Sequence, residues 1–196
     1  VALREMKVQR TRQAIVAVGA GLFLSQGYDA TTMEQIAERA EVGKSTLYRY
    51  FPTKEDVLLG SFSARMGVTA ELVRSRPADE DLSVVLGHVV RAYVQVNDAA
   101  TRELRAIIDA HPAARAKVWD LVAQEQALLE AALAERLGLD APDLGVVMSA
   151  RIATTLAVVA SENVLGDHRP LDERIERILR DLDHARIVFP SVPSGV

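Results

Sequence analysis

Apolar residues recur along almost the whole chain at spacings of three and four, and no stretch alternates with a period of two, so the pattern predicts helices and no strands. A first helix over residues 8–26 carries Ile15, Val18 and Leu22 on one stripe with Phe23 beside it, and Gly27 stops it. Two short helices follow. Thr32 with Gln35 three residues on spells a capping box, and Ile36, Ala37 and Ala40 give that helix a small apolar face. Glu41-Val42-Gly43 breaks it, and a second helix opens near Lys44 with Leu47 and Phe51 four residues apart as its inward side. After Pro52, Thr53 caps a long helix over 54–74, with Glu55 and Asp56 in its first turn, where the helix dipole favours carboxylates. Val57, Leu58, Phe62, Met66, Thr69 and Leu72 keep its period until Pro77 ends it.

The remainder reads as five more helices, over residues 79–97, 101–111, 113–137, 142–165 and 171–189, with a frayed tail at 190–196. Thr101 is expected to cap the second of these, and Pro112 to separate it from the third. The stretch 142–165 is apolar nearly all round, apart from Arg151, so it is expected to bury one face on its own core and another on a second copy of the chain, together with 171–189.

Composition narrows the classes. The chain has 196 residues, 49% of them hydrophobic, enough for a sizeable core in one or two domains. With no cysteine, disulfide scaffolds, zinc fingers and thiol chemistry are excluded. Residues 1–10 are too charged for a signal peptide and no apolar run reaches the length of a membrane span, so a soluble, cytoplasmic protein without a membrane partner is expected. The net charge of −4 is unevenly spread: residues 1–54 hold eight Lys/Arg against five Asp/Glu, and residues 55–196 hold fifteen against twenty-two. A basic head on an acidic body suits a protein that offers one end to nucleic acid.

That head also holds the most distinctive surface. With Leu47 and Phe51 turned inward, Lys44, Ser45, Thr46, Tyr48, Arg49 and Tyr50 turn mostly outward. Two tyrosines, two cations and two hydroxyls on so short a helix fit the phosphates and base edges of a DNA groove better than they serve solubility. The stretch Thr31 to Phe51, TTMEQIAERAEVGKSTLYRYF, resembles the helix-turn-helix of the TetR family of transcriptional regulators in its Thr31-Thr32, Ile36-Ala37, Ala40, Val42, Leu47-Tyr48-Arg49-Tyr50-Phe51 and Lys54-Glu55. It departs in three places. Glu41 stands where glycine usually takes the left-handed turn, at a cost of roughly 1 kcal/mol. Gly43 replaces the usual serine cap, and Ser45 replaces a common glycine.

The resemblance implies an all-α fold: an N-terminal three-helix DNA-binding domain over 1–53 and a C-terminal helical bundle over 54–189 for ligand binding and dimerisation. It further implies a homodimeric repressor on near-palindromic double-stranded DNA, released when a small, largely apolar effector enters the bundle and shifts the helix 54–74. Lys44 and Tyr48, with Ser45 in support, are then expected to read bases; Thr32, Thr46, Tyr50 and Lys54 match positions that hold phosphates, and Arg49 belongs to the same surface. The basic start, Arg4, Lys7, Arg10 and Arg12, is equally a solvated segment or an arm on phosphate. Candidate pocket residues are Phe62, Met66, Tyr93 and Trp119 as walls, with His111 and Arg151 as polar groups. Arg151 is more readily explained by pairing with a carboxylate such as Glu162 of a neighbouring chain, and His111 equally by a helix-end charge.

Other chemistry does not assemble. Gly43-Lys44-Ser45 lacks the earlier glycine of a phosphate loop, since Glu38 stands there, and Gly19-Ala20-Gly21 follows no strand and lacks the third glycine of a dinucleotide site. Asp181 and His184 are one helical turn apart but make only two metal ligands. No cofactor, metal or catalytic set is expected; the rival reading is a helical enzyme or a partner-binding protein that senses nothing.

Overall fold

The computed structural model describes residues 2–94, 99–161 and 166–182. The expected helix ends at 95–97, 162–165 and 183–189, the tail 190–196, and the residues Glu162 and His184 lie outside these. Among the described residues every regular element is a helix: α1 Ala2–Gln26, α2 Met33–Arg39, α3 Lys44–Tyr50, α4 Lys54–Leu58, α5 Gly60–Ser63, α6 Val68–Ser75, α7 Leu82–Val94, α8 Ala99–Ala110, α9 Pro112–Arg136, α10 Leu144–Ser161 and α11 Leu171–Leu182. None is long and apolar enough to cross a membrane.

α1 begins at Ala2 rather than residue 8, because Ala, Leu, Arg, Glu, Met, Lys and Gln in its first turns are strong helix formers that need no packing partner. Leu3, Met6 and Val8 are accordingly exposed, and burial starts at Ile15. Both capping boxes of the head form as their spacing requires. The Thr32 hydroxyl accepts from Gln35 N–H at 3.2 Å while Thr32 N–H donates to the Gln35 side chain at 2.9 Å; Thr53 and Asp56 do the same for α4. Glu41 takes the left-handed turn between α2 and α3 at φ 54°.

The single helix expected over 54–74 is three. At Gly60 the chain comes so close to α1 that a Cβ would meet Val16 Cγ2 at 2.3 Å. Beyond Ser63 the hydrogen bonds tighten to three-residue spans, Arg65 to Phe62 and Met66 to Ser63, and Gly67 turns left-handed at φ 82°. Glu125 from α9 then caps the restarted helix, accepting Gly67 N–H and the Thr69 hydroxyl, each at 2.6 Å. Apolar period alone runs smoothly through the break; the group that makes the break favourable lies fifty-eight residues further along the chain. Thr101, expected as a cap, sits inside α8. Pro112 does open α9, at the first position, where its missing N–H costs no helical bond.

Two apolar cores result. The first gathers Ile15, Leu22, Phe23, Ile36, Leu47, Phe51, Val57 and Leu58 and is closed by Leu104, Ile108 and Ala114 from α8 and α9. The second holds Val73, Val85, Val89, Leu129, Leu133, Ala150, Ala153, Ala157 and Ile175.

Candidate nucleic-acid interface

Leu47 and Phe51 are buried in the first core, which fixes how α3 is turned. Lys44, Ser45, Tyr48 and Arg49 are exposed; Thr46 and Tyr50 are half-buried, Tyr50 against the core with the Arg49 guanidinium 5.5 Å from its ring centroid. Tyr48 keeps 44% of its surface exposed, beside Lys44, Ser45 and Arg49, so this face carries an aromatic ring, cations and a hydroxyl together. Gly43 caps α3 without a side chain, so the first N–H groups of α3 are open to an anion or base edge. Thr32, at the start of α2, is exposed; its oxygen receives Gln35 N–H, and its own hydroxyl proton remains to donate.

Two of the expected lysines have partners within the chain. Lys54 does not reach outward. Its ammonium donates to the carbonyls of Tyr28 at 2.8 Å and Thr31 at 3.1 Å and lies 4.2 Å from the Tyr28 ring centroid. These contacts join the segment after α1 to the start of α4. Lys44 is not a lone cation: its ammonium is 3.4 Å from Glu34 Oε1 on α2. The Glu34 carboxyl is held below its ordinary range by its own backbone N–H and then by Lys44.

The first core is tied to the body by polar contacts as well as by Leu104 and Ile108. Lys117 of α9 donates to Thr53 Oγ1 at 2.8 Å and to Asp56 Oδ1 at 2.5 Å. Burial pushes the Asp56 carboxyl up, but the Lys117 ammonium and the Thr53 hydroxyl outweigh it and hold the group below its ordinary range. His111 packs on Tyr28 with ring centroids 4.3 Å apart, its Nδ1 donating to Ile107 O at 2.6 Å, and the Tyr28 hydroxyl donates to Glu55 at 2.8 Å. Burial, then Glu55, pushes the Tyr28 phenol far above its usual value.

The body residues proposed as pocket walls do not converge. Phe62 packs on the first core and Tyr93 on the second, with the Tyr93 phenol raised by burial. Met66 is half-buried in the break between α5 and α6. Trp119 is 75% exposed, because the inward side of α9 at that level is taken by Val118 and Leu121, so it walls no interior cavity here. His111 serves the junction with α1. Arg151 is on the outer side of α10, 58% exposed and 3.6 Å from Glu130, so it is not a buried charge. A groove along α11 is lined by Arg169, Glu173, Glu176, Arg177, Arg180 and Asp181, an ionic surface unsuited to an apolar guest. Sequence reasoning missed Glu34, whose partner Lys44 lies on the next helix, and Lys117 and Glu125, whose partners are distant in the chain.

Residues 15–60 match the family model described as bacterial regulatory proteins, tetR family. The chain is 32% identical over 150 residues to the HTH-type transcriptional regulator TcmR of Streptomyces glaucescens, covering 72% of this chain and 66% of that one. It is 32% identical over 111 residues to the HTH-type transcriptional repressor KstR of Rhodococcus jostii, covering 55% and 52%. The matched segments thus span about two thirds and about half the length of these curated relatives. Among solved structures, the Thermus thermophilus FadR, a repressor seen in complex with lauroyl-CoA, superposes with a TM-score of 0.54 at 26% identity, over 94% of this chain and 100% of that one.

Proposed function

Because the chain belongs to the TetR family of bacterial transcriptional regulators, we propose that it is a cytoplasmic, homodimeric repressor, not an enzyme, that binds a near-palindromic operator and leaves it when a small, largely apolar effector binds the body. The division we propose puts DNA binding in residues 1–53 and sensing and dimerisation in 54–189. The observation that carries the reading is the exposed face of α3, Lys44, Ser45, Tyr48 and Arg49, fixed from behind by buried Leu47 and Phe51. Thr32, with Thr46 and Tyr50 at the edges, would meet phosphates, while Lys44 and Tyr48 meet bases.

Dimerisation through α10 and α11 is supported by exposed Leu144, Met148 and Ile152 on α10, opposite the buried Ala150, Ala153 and Ala157. An exposed apolar row of that kind is costly in water unless a second copy covers it. Glutamate is best placed at Met148 and Ile152, since Leu156 packs on its own core. For the effector, the break between α5 and α6 is the favoured place, with Phe62 on α5, Met66 in the break and Tyr93 of α7 near Thr69 at the restart, each on a different side of a segment already interrupted. Movement there has two routes to α3: along α4, and across Lys117 and His111. The effector must bind better to the form that fits the operator badly.

The test is DNA binding of the full chain and of Tyr48→Ala, on a site recovered by selection and on random duplex. The substitution is expected to cost roughly 1–3 kcal/mol on the selected site and little on random DNA. Equal losses on both would make Tyr48 a phosphate clamp. A Met148→Glu, Ile152→Glu chain that still scatters light as a dimer would move the dimer interface elsewhere.

A further inference from the structure

The basic excess of the head does not lie in the segment that would enter DNA. Residues 31–53 carry Arg39, Lys44 and Arg49 against Glu34, Glu38 and Glu41, a balance of zero. Three exposed carboxylates around a DNA-facing helix oppose the phosphates, and attraction to phosphate is what supplies non-specific affinity. Of the three, Glu34 is the one joined to a base-reading cation, at 3.4 Å. The pair is 52% and 66% exposed, and exposed pairs of this kind contribute little to stability. Lys44 is moreover placed at the first position of α3, where the helix dipole disfavours a cation. A contact that adds little to the fold, between groups on the two helices that face DNA, is best explained by what it does there.

We propose that Glu34 is a base-reading residue in its own right: it accepts the amino hydrogen of a cytosine while holding Lys44 toward the O6 and N7 of a neighbouring guanine. The inference rests on the DNA-binding reading above. Carboxylates pair with the cytosine amino group and lysine with guanine in the major groove. Successive bases along a strand rise by about 3.4 Å, so two side-chain ends this close match two adjacent base edges. The phosphates repel Glu34 at every sequence, and only a site offering the amino hydrogen compensates. Glu34 therefore lowers affinity for random DNA and restores it at the matched site, which is discrimination.

The test is selection from a random duplex library with the full wild-type chain, Glu34→Gln, Glu34→Asp and Lys44→Ala, each checked by thermal melting for an intact fold. Wild type is expected to select a motif with a fixed guanine and an adjacent fixed cytosine in each half-site. Glu34→Gln should keep the rest of the motif but lose the cytosine preference by about tenfold, turning toward adenine, which glutamine pairs with. Glu34→Asp should retain part of it. On random duplex, Glu34→Gln should bind more tightly, with a salt slope steeper by roughly one per subunit, because Lys44 is released to a phosphate. An unchanged motif with uniformly tighter binding would make Glu34 a mere electrostatic brake and overturn the proposal. A wild-type chain that selects no motif would bring down the operator reading itself, and this inference with it.

Discussion

The two cores are built from different residues. The first interlocks Phe23, Phe51, Ile15, Ile36, Leu47 and Leu58, all of them almost fully buried, between α1 and the short helices that follow it, and is closed by α8 and α9. The second is largely alanine and valine: Ala70, Ala132, Ala134, Ala150, Ala153, Ala157 and Ala160 with Val73, Val85, Val89 and Val90. Large interdigitating side chains hold one arrangement, since any shift opens a void or forces a clash. Helices that meet through small side chains bury less per residue, and a slide along the axis loses fewer contacts. A reading head benefits from the first kind of core, and a body that accommodates a guest benefits from the second.

The contrast fails if the two cores respond alike to truncation. Phe51→Ala is expected to lower stability by about 3–5 kcal/mol, measured by chemical denaturation, and to abolish DNA binding, because Phe51 also carries the Arg12 guanidinium 4.8 Å above its ring. Val89→Ala in the second core removes two methyl groups and should cost about 2 kcal/mol with DNA affinity kept. A body truncation as damaging to binding as the head truncation would mean that the two cores act as one.

The same division separates what the sequence disclosed from what it hid. Thr32 with Gln35 and Thr53 with Asp56 are pairs three residues apart, so the chain itself brings the partners together and the spacing can be read directly. Glu41 at the left-handed turn was equally local. In contrast, the break at Gly67 depends on Glu125, and the inward turn of Lys54 depends on carbonyls at Tyr28 and Thr31. Both are contacts between distant segments, invisible to period and propensity. Trp119 faces outward because a helical stripe does not say which side neighbours will cover, and Arg151 pairs with a carboxylate as expected, but with Glu130 of its own chain.

A second prediction probes the seam between the regions. Lys117→Met removes the donor to Asp56 and Thr53 while keeping the length of the side chain. Both charged groups are about a third exposed, so the loss should be about 1 kcal/mol at neutral pH. The pH dependence identifies the cause. The Asp56 carboxyl titrates below its unfolded value, so its contribution is complete above about pH 4 and fades as pH falls through the lower folded value. Lys117→Met should therefore flatten the acid limb of the stability profile and leave the limb above pH 5 parallel to wild type. Parallel profiles throughout would show that the tie contributes nothing.

The smallest effect sharpens the contrast within the head itself. Glu41 is the one described residue other than glycine at positive φ, 54°, in the turn that sets α3 against α2. A side chain there costs about 1–2 kcal/mol relative to an ordinary conformation. Glycine would relieve that strain, but it also enlarges the unfolded ensemble by roughly 0.5–1 kcal/mol. The difference leaves Glu41→Gly more stable by a few tenths to about 1 kcal/mol. Thermal melting should show a rise of a few degrees at most for a chain of this length. The substitution also removes one of the three carboxylates near α3, so random-DNA affinity should rise modestly at low salt and converge with wild type as salt screens the charge. A destabilised Glu41→Gly would mean that the glutamate side chain makes a contact in the turn that outweighs its backbone strain.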